Sequence, residues 1–176
     1  FNHIGDKITT LPSNAFDLWQ RVIDKERLLQ VLATQFDMRH QPIRISITLP
    51  EEEGLYKQGE LLDFSIAPGD TREGLNALTL FNLAGDGELQ YLYPLPKKDP
   101  LVIHQFPYLL QPSPKVSPPF GGDDLVAVLC RKPATGLHKL LARSHKKSKL
   151  PTPEQILSQL RSNTCQVGQY AFFSSE

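Results

Sequence analysis

The stretch Ala77–Pro94, ALTLFNLAGDGELQYLYP, decides the fold. Two runs rich in Leu, Phe and Tyr flank Ala84-Gly85-Asp86-Gly87. Gly85 and Gly87 can take positive φ at no steric cost, and Asp-Gly between hydrophobic runs is a strong hairpin signal. The reading is a β-hairpin with strands over roughly Ala77–Leu83 and Glu88–Tyr93. It contains no nucleophile, metal cluster or phosphate loop, so it fixes a fold class without naming an activity.

Working outward, Ile43, Ile45, Ile47 and Leu49 alternate with polar residues, as a half-buried strand does. A polar loop, Glu51-Glu52-Glu53-Gly54, leads to Tyr56-x-x-Gly59-Glu60 and a strand over Leu61–Ala67, closed by a Pro68-Gly69-Asp70 turn. Upstream, Asn14 to about Met38 reads as helical. Leu18, Trp19, Val22 and Ile23 share a face, and Leu28, Leu29, Leu32 and Phe36 continue an apolar stripe. Asn14 is the expected N-cap. The polar run Asp24-Lys25-Glu26-Arg27 suggests a break into two short helices, the second capped by Asp24. His40-Gln41-Pro42 ends the helical pattern.

Downstream of the hairpin, eight of the fifteen prolines fall between Pro94 and Pro119. Proline lacks the N–H that a central strand or long helix needs, so this segment is a draped connection, with Leu101–Ile103 as a short edge strand. Gly121-Gly122-Asp123-Asp124 reads as a turn into the apolar strand Leu125–Cys130. A short helix follows over Gly136 to about Ala142, then a lysine-rich loop over Ser144–Leu150. Pro153 to about Arg161 is a second helix with Thr152 as N-cap, and Gln166–Ser174 is the closing strand. The expected class is therefore α+β and β-rich: an antiparallel β-sandwich with N-terminal helices and a short C-terminal helix pair at one end or edge. Residues 1–42 form a helical segment that packs on a β-sandwich domain over 43–176, the whole being one folding unit.

The chain has 176 residues, zero formal net charge and 40% hydrophobic content, in the range of an ordinary globular domain. No apolar run approaches the roughly 18 residues of a transmembrane helix. The first residue is Phe1 rather than Met, so a fragment or processed product is expected. The compartment stays open between cytoplasm and periplasm. Cys130 and Cys165 are the only cysteines, too few for a disulfide-dense scaffold. Cys130 closes an apolar run and reads as a small core residue, while Cys165 lies in a polar stretch that can be exposed; a bridge between them is open.

Charge is unevenly spread. Phe1–Asp124 carries 17 acidic and 11 basic residues, whereas Leu125–Pro153 carries seven basic residues and no acid. Arg131, Lys132, Lys139, Arg143, Lys146, Lys147 and Lys149 form this stripe, together with His138 and His145. It offers a surface for an anionic partner, against the plainer reading of a solvated helix end. Interleaved aromatics that would stack bases are absent from it, which disfavours nucleic acid.

No Gly-x-Ser-x-Gly elbow and no papain-like or caspase-like cysteine context is present. His104 beside Val102 and Ile103 reads as structural. No His-x-x-x-His or Cys-x-x-Cys occurs, and Asp86, Glu88, Asp123 and Asp124 near glycines are explained by turn chemistry. No catalytic residue, metal or cofactor is expected, and the chain on its own is not expected to be an enzyme.

The order Tyr56-x-x-Gly59-Glu60-x-Leu62-x-Phe64, Leu78-x-Leu80-Phe81-Asn82-Leu83, Asp86-Gly87-Glu88-Leu89, Leu92-Tyr93-Pro94 and Gly122-Asp123-Asp124-Leu125-Val126-Ala127-Val128 resembles a bacterial accessory β-sandwich domain of uncharacterised function. Such domains are often fused to caspase-like peptidases or envelope-associated modules. The resemblance covers roughly Ile43 to Ala142 and supplies no catalytic residues. It implies a non-catalytic binding or regulatory module within a larger bacterial protein. The expected partner is a protein or an upstream peptidase-like domain, met through the Pro94–Pro119 segment. Phe106, Tyr108 and Phe120 are the candidate contacts, beside the basic stripe, because stiffened aromatics give contact area at low entropic cost. Equally, these three rings tuck under the sheet as a mini-core. The alternatives are an accessory part of a caspase-like cysteine peptidase or other hydrolase, and anion or nucleic-acid binding through residues 131–149.

Overall fold

In the computed structural model, which describes residues 15–36, 43–48, 55–69, 74–147 and 149–176, the Ala77–Pro94 hairpin stands where the sequence puts it. Its strands are β4 (Ala77–Leu83) and β5 (Leu89–Tyr93), paired antiparallel with Asn82 opposite Gln90. The Ala84 N–H donates to the Glu88 carbonyl and the Asp86 carboxylate accepts from the Glu88 N–H, so the turn is closed by backbone and side chain together. β4 continues into the middle of a five-stranded sheet of order β2-β8-β7-β4-β5. Here β2 is Leu55–Lys57, β7 is Gly121–Cys130 and β8 is Cys165–Ser175, with β2 parallel to β8 and the other pairs antiparallel.

A second sheet has three short strands in the order β1-β3-β6, namely Arg44–Ile47, Phe64–Ala67 and Tyr108–Leu109. The helices are α1 (Phe16–Gln35), α2 (Thr135–Lys147) and α3 (Pro153–Leu160). Strand alternation divides the larger sheet into two apolar faces. Phe81, Leu83, Val126, Val128 and Val167 meet Leu28 and Leu32 of α1, Leu137 and Leu141 of α2, and Ile156 of α3. Leu78, Leu80, Leu125, Ala127 and Phe172 meet Ile47 of β1, and Phe64 and Ile66 of β3. The architecture is α+β with one helix layer and two sheets.

Several local expectations change. α1 runs unbroken through Asp24-Lys25-Glu26-Arg27, because Lys25 turns inward and finds partners, and Asp24 accepts from the Gln20 side chain instead of capping a second helix. Among the described residues there is thus one N-terminal helix. Within it Val22 is buried, whereas Trp19 and Ile23 lie on the exposed side with Phe16. Gly121–Asp124 is strand rather than turn: all four residues pair with 171–174 of β8, and this long-range pairing overrides their turn propensity. α2 reaches Lys147, absorbing the start of the expected lysine-rich loop. Lysine is a good helix former, and cations in the last turn oppose the helix dipole. Leu101–Ile103 is not a strand. The Ile103 N–H donates to the Asn76 carbonyl, and the segment's strand is β6, five residues further on. Asn14, residues 37–42, Leu49, the 51–54 loop and Asp70 lie outside the described residues. α3 starts as expected, with Thr152 and Gln155 forming a reciprocal capping box and Pro153 following the cap.

Two contacts tie the layers. Cys130 and Cys165 face each other across β7 and β8 and form a disulfide. Cys130 is fully buried, as expected, but neither residue is a free thiol. Lys25, also fully buried, donates to the Gly122 carbonyl at 2.6 Å and to the Ala84 carbonyl at 3.3 Å, and pairs with Asp124 at 2.8 Å. Beside it Arg21 pairs with Asp86 at 3.2 Å. Gly87 (φ +82°) lies so close to the helix that a Cβ there would stand 2.6 Å from the Arg21 backbone. The hairpin turn is therefore also the seat of α1.

Two stability predictions follow from these ties. Closing a 35-residue separation constrains the unfolded chain, so reduction should cost about 3–4 kcal/mol, read as a lower urea midpoint in a reductant. Lys25→Met should cost about 3 kcal/mol or more in the same assay, since Asp124 and two carbonyls lose a buried cation; an unchanged midpoint would show that α1 does not depend on it.

Candidate functional site

Asp123 and Asp124 are neighbours in β7, and the strand alternation sends them to opposite faces. Asp124 meets Lys25 on the helix side. Asp123, only 6% exposed, meets Asn82 and Ser174 on the other. The Asn82 Nδ2 donates to Asp123 Oδ1 at 2.9 Å and to Gln90 Oε1 at 3.1 Å, while the Ser174 hydroxyl donates to Asp123 Oδ2 at 2.9 Å. Four strands, β5, β4, β7 and β8, thus each contribute one polar side chain to a single row across the sheet. The Asn82 Oδ1 is buried and accepts no hydrogen bond.

This row is the floor of a small cleft of about 40 Å³ that opens to solvent. Leu62, Phe64, Leu92 and Phe172 give it apolar walls, and residues 114–117 of the proline-rich segment border it. That border is held by backbone pairing: Leu62 N–H donates to Pro114 O, Gly59 N–H to Val116 O, and Val116 N–H to Glu60 O. Gly59 (φ +88°) allows the chain to turn back for this pairing. The proline-rich segment thus borders the cleft at Pro114–Ser117, and Phe106, Tyr108 and Phe120 are not among the residues that line it.

Burial pushes the Asp123 carboxyl above the usual carboxylate range, against the opposing pull of the Asn82 and Ser174 bonds and of Lys25. On the helix side, burial lowers the His138 pKa, and its Nε2 lies 2.9 Å from the Thr79 hydroxyl. No family model matches this chain. Neither does any curated protein or solved structure match it. The reading of the site rests on its geometry.

The residues singled out from the sequence are dispersed. Phe106, Tyr108 and Phe120 are each half-buried against the core between the two sheets, the packing of a mini-core. The Tyr108 ring lies 5.1 Å from that of Tyr93, and Phe106 borders a shallow hollow with Leu75, Ile103 and the exposed His104. Arg131 and Lys132 follow β7, and Lys132 borders another hollow with Thr135 and Asn163. Lys139, Arg143, Lys146 and Lys147 are all exposed on α2, spaced i, i+4, i+7 and i+8, so they share one helix face opposite Leu137 and Leu141. His138 leaves this stripe for the Thr79 contact, and His145 Nδ1 approaches the Leu89 carbonyl at 3.0 Å. Among the described residues no group of three or more His, Cys, Asp or Glu is placed to hold a metal ion. Asp86 keeps its expected turn role, whereas Asp123 and Asp124 do not.

Asn82, Gln90, Asp123 and Ser174 were missed as a group, although a signal existed. Asn82 continues the inward phase of Leu78 and Leu80, Asp123 precedes that of Leu125 and Ala127, and Ser174 follows Phe172. A polar residue at an inward position needs a partner, and three such positions in paired strands imply that they partner one another.

The sign of the pH effect at Asp123 is fixed by its raised pKa. Above the unfolded carboxyl value, near 3.9, the folded state retains the proton longer than the unfolded one, so this group's contribution declines as pH rises through the folded pKa. Asp123→Asn removes the buried charge and keeps the bond from Asn82, while the Ser174 bond is kept only with its direction reversed, the new amide N–H donating to the Ser174 hydroxyl. The variant should be at least as stable as wild type at pH 7.5 in urea unfolding, with the difference shrinking towards pH 4.

Proposed function

We propose that the chain is a non-catalytic binding module, part of a larger bacterial protein, that recognises a segment of a partner protein in the cleft bordered by Pro114–Ser117. The observation that carries this reading is the convergence of Asp123, Asn82, Gln90 and Ser174 on the floor of an apolar-walled cleft. Concave apolar sites with a few oriented polar groups are what ligand recognition uses. We read the two sheets as sandwich-like, with the proline-rich segment bridging them at the cleft. The resemblance to accessory domains of caspase-like peptidases fits a module that binds for a neighbouring catalytic domain. The Cys130–Cys165 bridge favours an oxidising compartment, hence the periplasmic side over the cytoplasm.

A second reading, recognition of an anionic partner, rests on the shared exposed face of Lys139, Arg143, Lys146 and Lys147. One selection separates the two. A displayed random-peptide library panned on the domain should yield binders that are lost on Ser117→Trp, a bulky change at an exposed cleft residue. Acid-rich peptides that bind Ser117→Trp equally well would move recognition to α2. An empty selection on wild type would overturn the peptide-binding reading.

A further inference from the structure

The cleft floor is centred on the Asp123 carboxylate, with Asn82, Gln90 and Ser174 around it. Asn82 Nδ2 has two N–H groups, and both are used, one on Gln90 and one on Asp123. The Asp123 contact fixes the amide orientation, since flipping it would set Oδ1 against the carboxylate. Oδ1 is consequently left facing no donor, although Asn82 is only 6% exposed. Each carboxylate oxygen of Asp123 accepts one bond and has capacity for another. The charged groups around the cleft are Asp123 in the floor and the exposed Lys115 at its mouth. Lys25 and Asp124 are paired with each other on the opposite face of the sheet.

A buried carboxylate without a cation beside it is costly, and so is a buried acceptor without a donor. A cationic N–H donor in the cleft answers the first of these needs, at Asp123, whereas the Asn82 Oδ1 has no surface open to a ligand. The walls add a second requirement, because Leu62, Phe64, Leu92 and Phe172 favour an aliphatic stem behind that head. We infer that the cleft takes a ligand ending in a protonated amine or guanidinium on a short aliphatic stem, held by the Asp123 carboxylate. This inference rests on the binding reading above and names the chemistry of its ligand. The same head occurs on a lysine or arginine side chain of a partner and on a free alkylamine.

The test is a titration of the full chain, labelled with nitrogen-15, with n-butylamine and with its neutral counterpart n-butanol at pH 7.5. The expected result is that n-butylamine moves the side-chain amide signals of Asn82 and Gln90, that n-butanol leaves them in place, and that Asp123→Asn weakens amine binding at least tenfold. Equal shifts from n-butanol, no shift from n-butylamine, or unchanged affinity in Asp123→Asn would overturn it. If Asp123→Asn fails to fold, the comparison of the two probes on wild type decides alone. The peptide selection separates the two levels of the proposal and the two sources of the head. Binders sharing a Lys or Arg support a side-chain ligand. Binders that share neither overturn the cationic ligand while leaving the binding module in place. An empty selection combined with amine binding supports a free amine and removes only the peptide partner.

Discussion

The buried ammonium of Lys25 registers the helix layer on the sheet. Its partners come from three places in sequence: the Ala84 carbonyl at the end of β4, the Gly122 carbonyl near the start of β7, and the Asp124 carboxylate. A charge with no solvent exposure is tolerated only where its hydrogen bonds are supplied, so α1 has one rotation and one height that satisfy it. Gly87 then permits contact between helix and turn at a distance that no side chain allows. Leu28, Leu29 and Leu32 follow into the core from that fixed point.

The same stretch of β7 organises the opposite face. Asp124 serves the helix layer, so Asp123 must serve the other, and its partners are the diagonal neighbours on the flanking strands, Asn82 opposite Leu125 and Ser174 opposite Gly121. Asn82 and Ser174 lie there because β4 and β8 flank β7, and Gln90 because β5 pairs with β4. A cleft floor built this way is rigid. It rests on four hydrogen-bonded strands rather than on loops, which holds its polar groups in fixed positions.

Legibility tracked the range of the interaction that decides each element. The hairpin and the Thr152 cap of α3 depend on neighbours within a few residues, and both were readable. Gly121–Asp124 was not, because its local preference for a turn loses to pairing with residues some fifty positions away. Lys25 looked like a helix breaker's polar flank because its partners lie 59 and 97 residues downstream. The aromatics of the proline-rich segment carried the right composition for either exposure or burial, and only the second sheet decides between them. Of the candidate site, the four polar residues were not legible as a group, although Asn82, Asp123 and Ser174 sit at the apolar phase of their strands.

The bridge between Cys130 and Cys165 has a topological effect apart from its contribution to stability. It joins the last residue of β7 to the first of β8, and everything between them, α2 and α3 included, lies inside the covalent loop. The two C-terminal helices are a closed appendage of the sheet. A backbone cut anywhere between them would leave both halves attached to the same molecule, and the exposed basic face of α2 would stay tethered beside the sheet even while its helix was locally unwound.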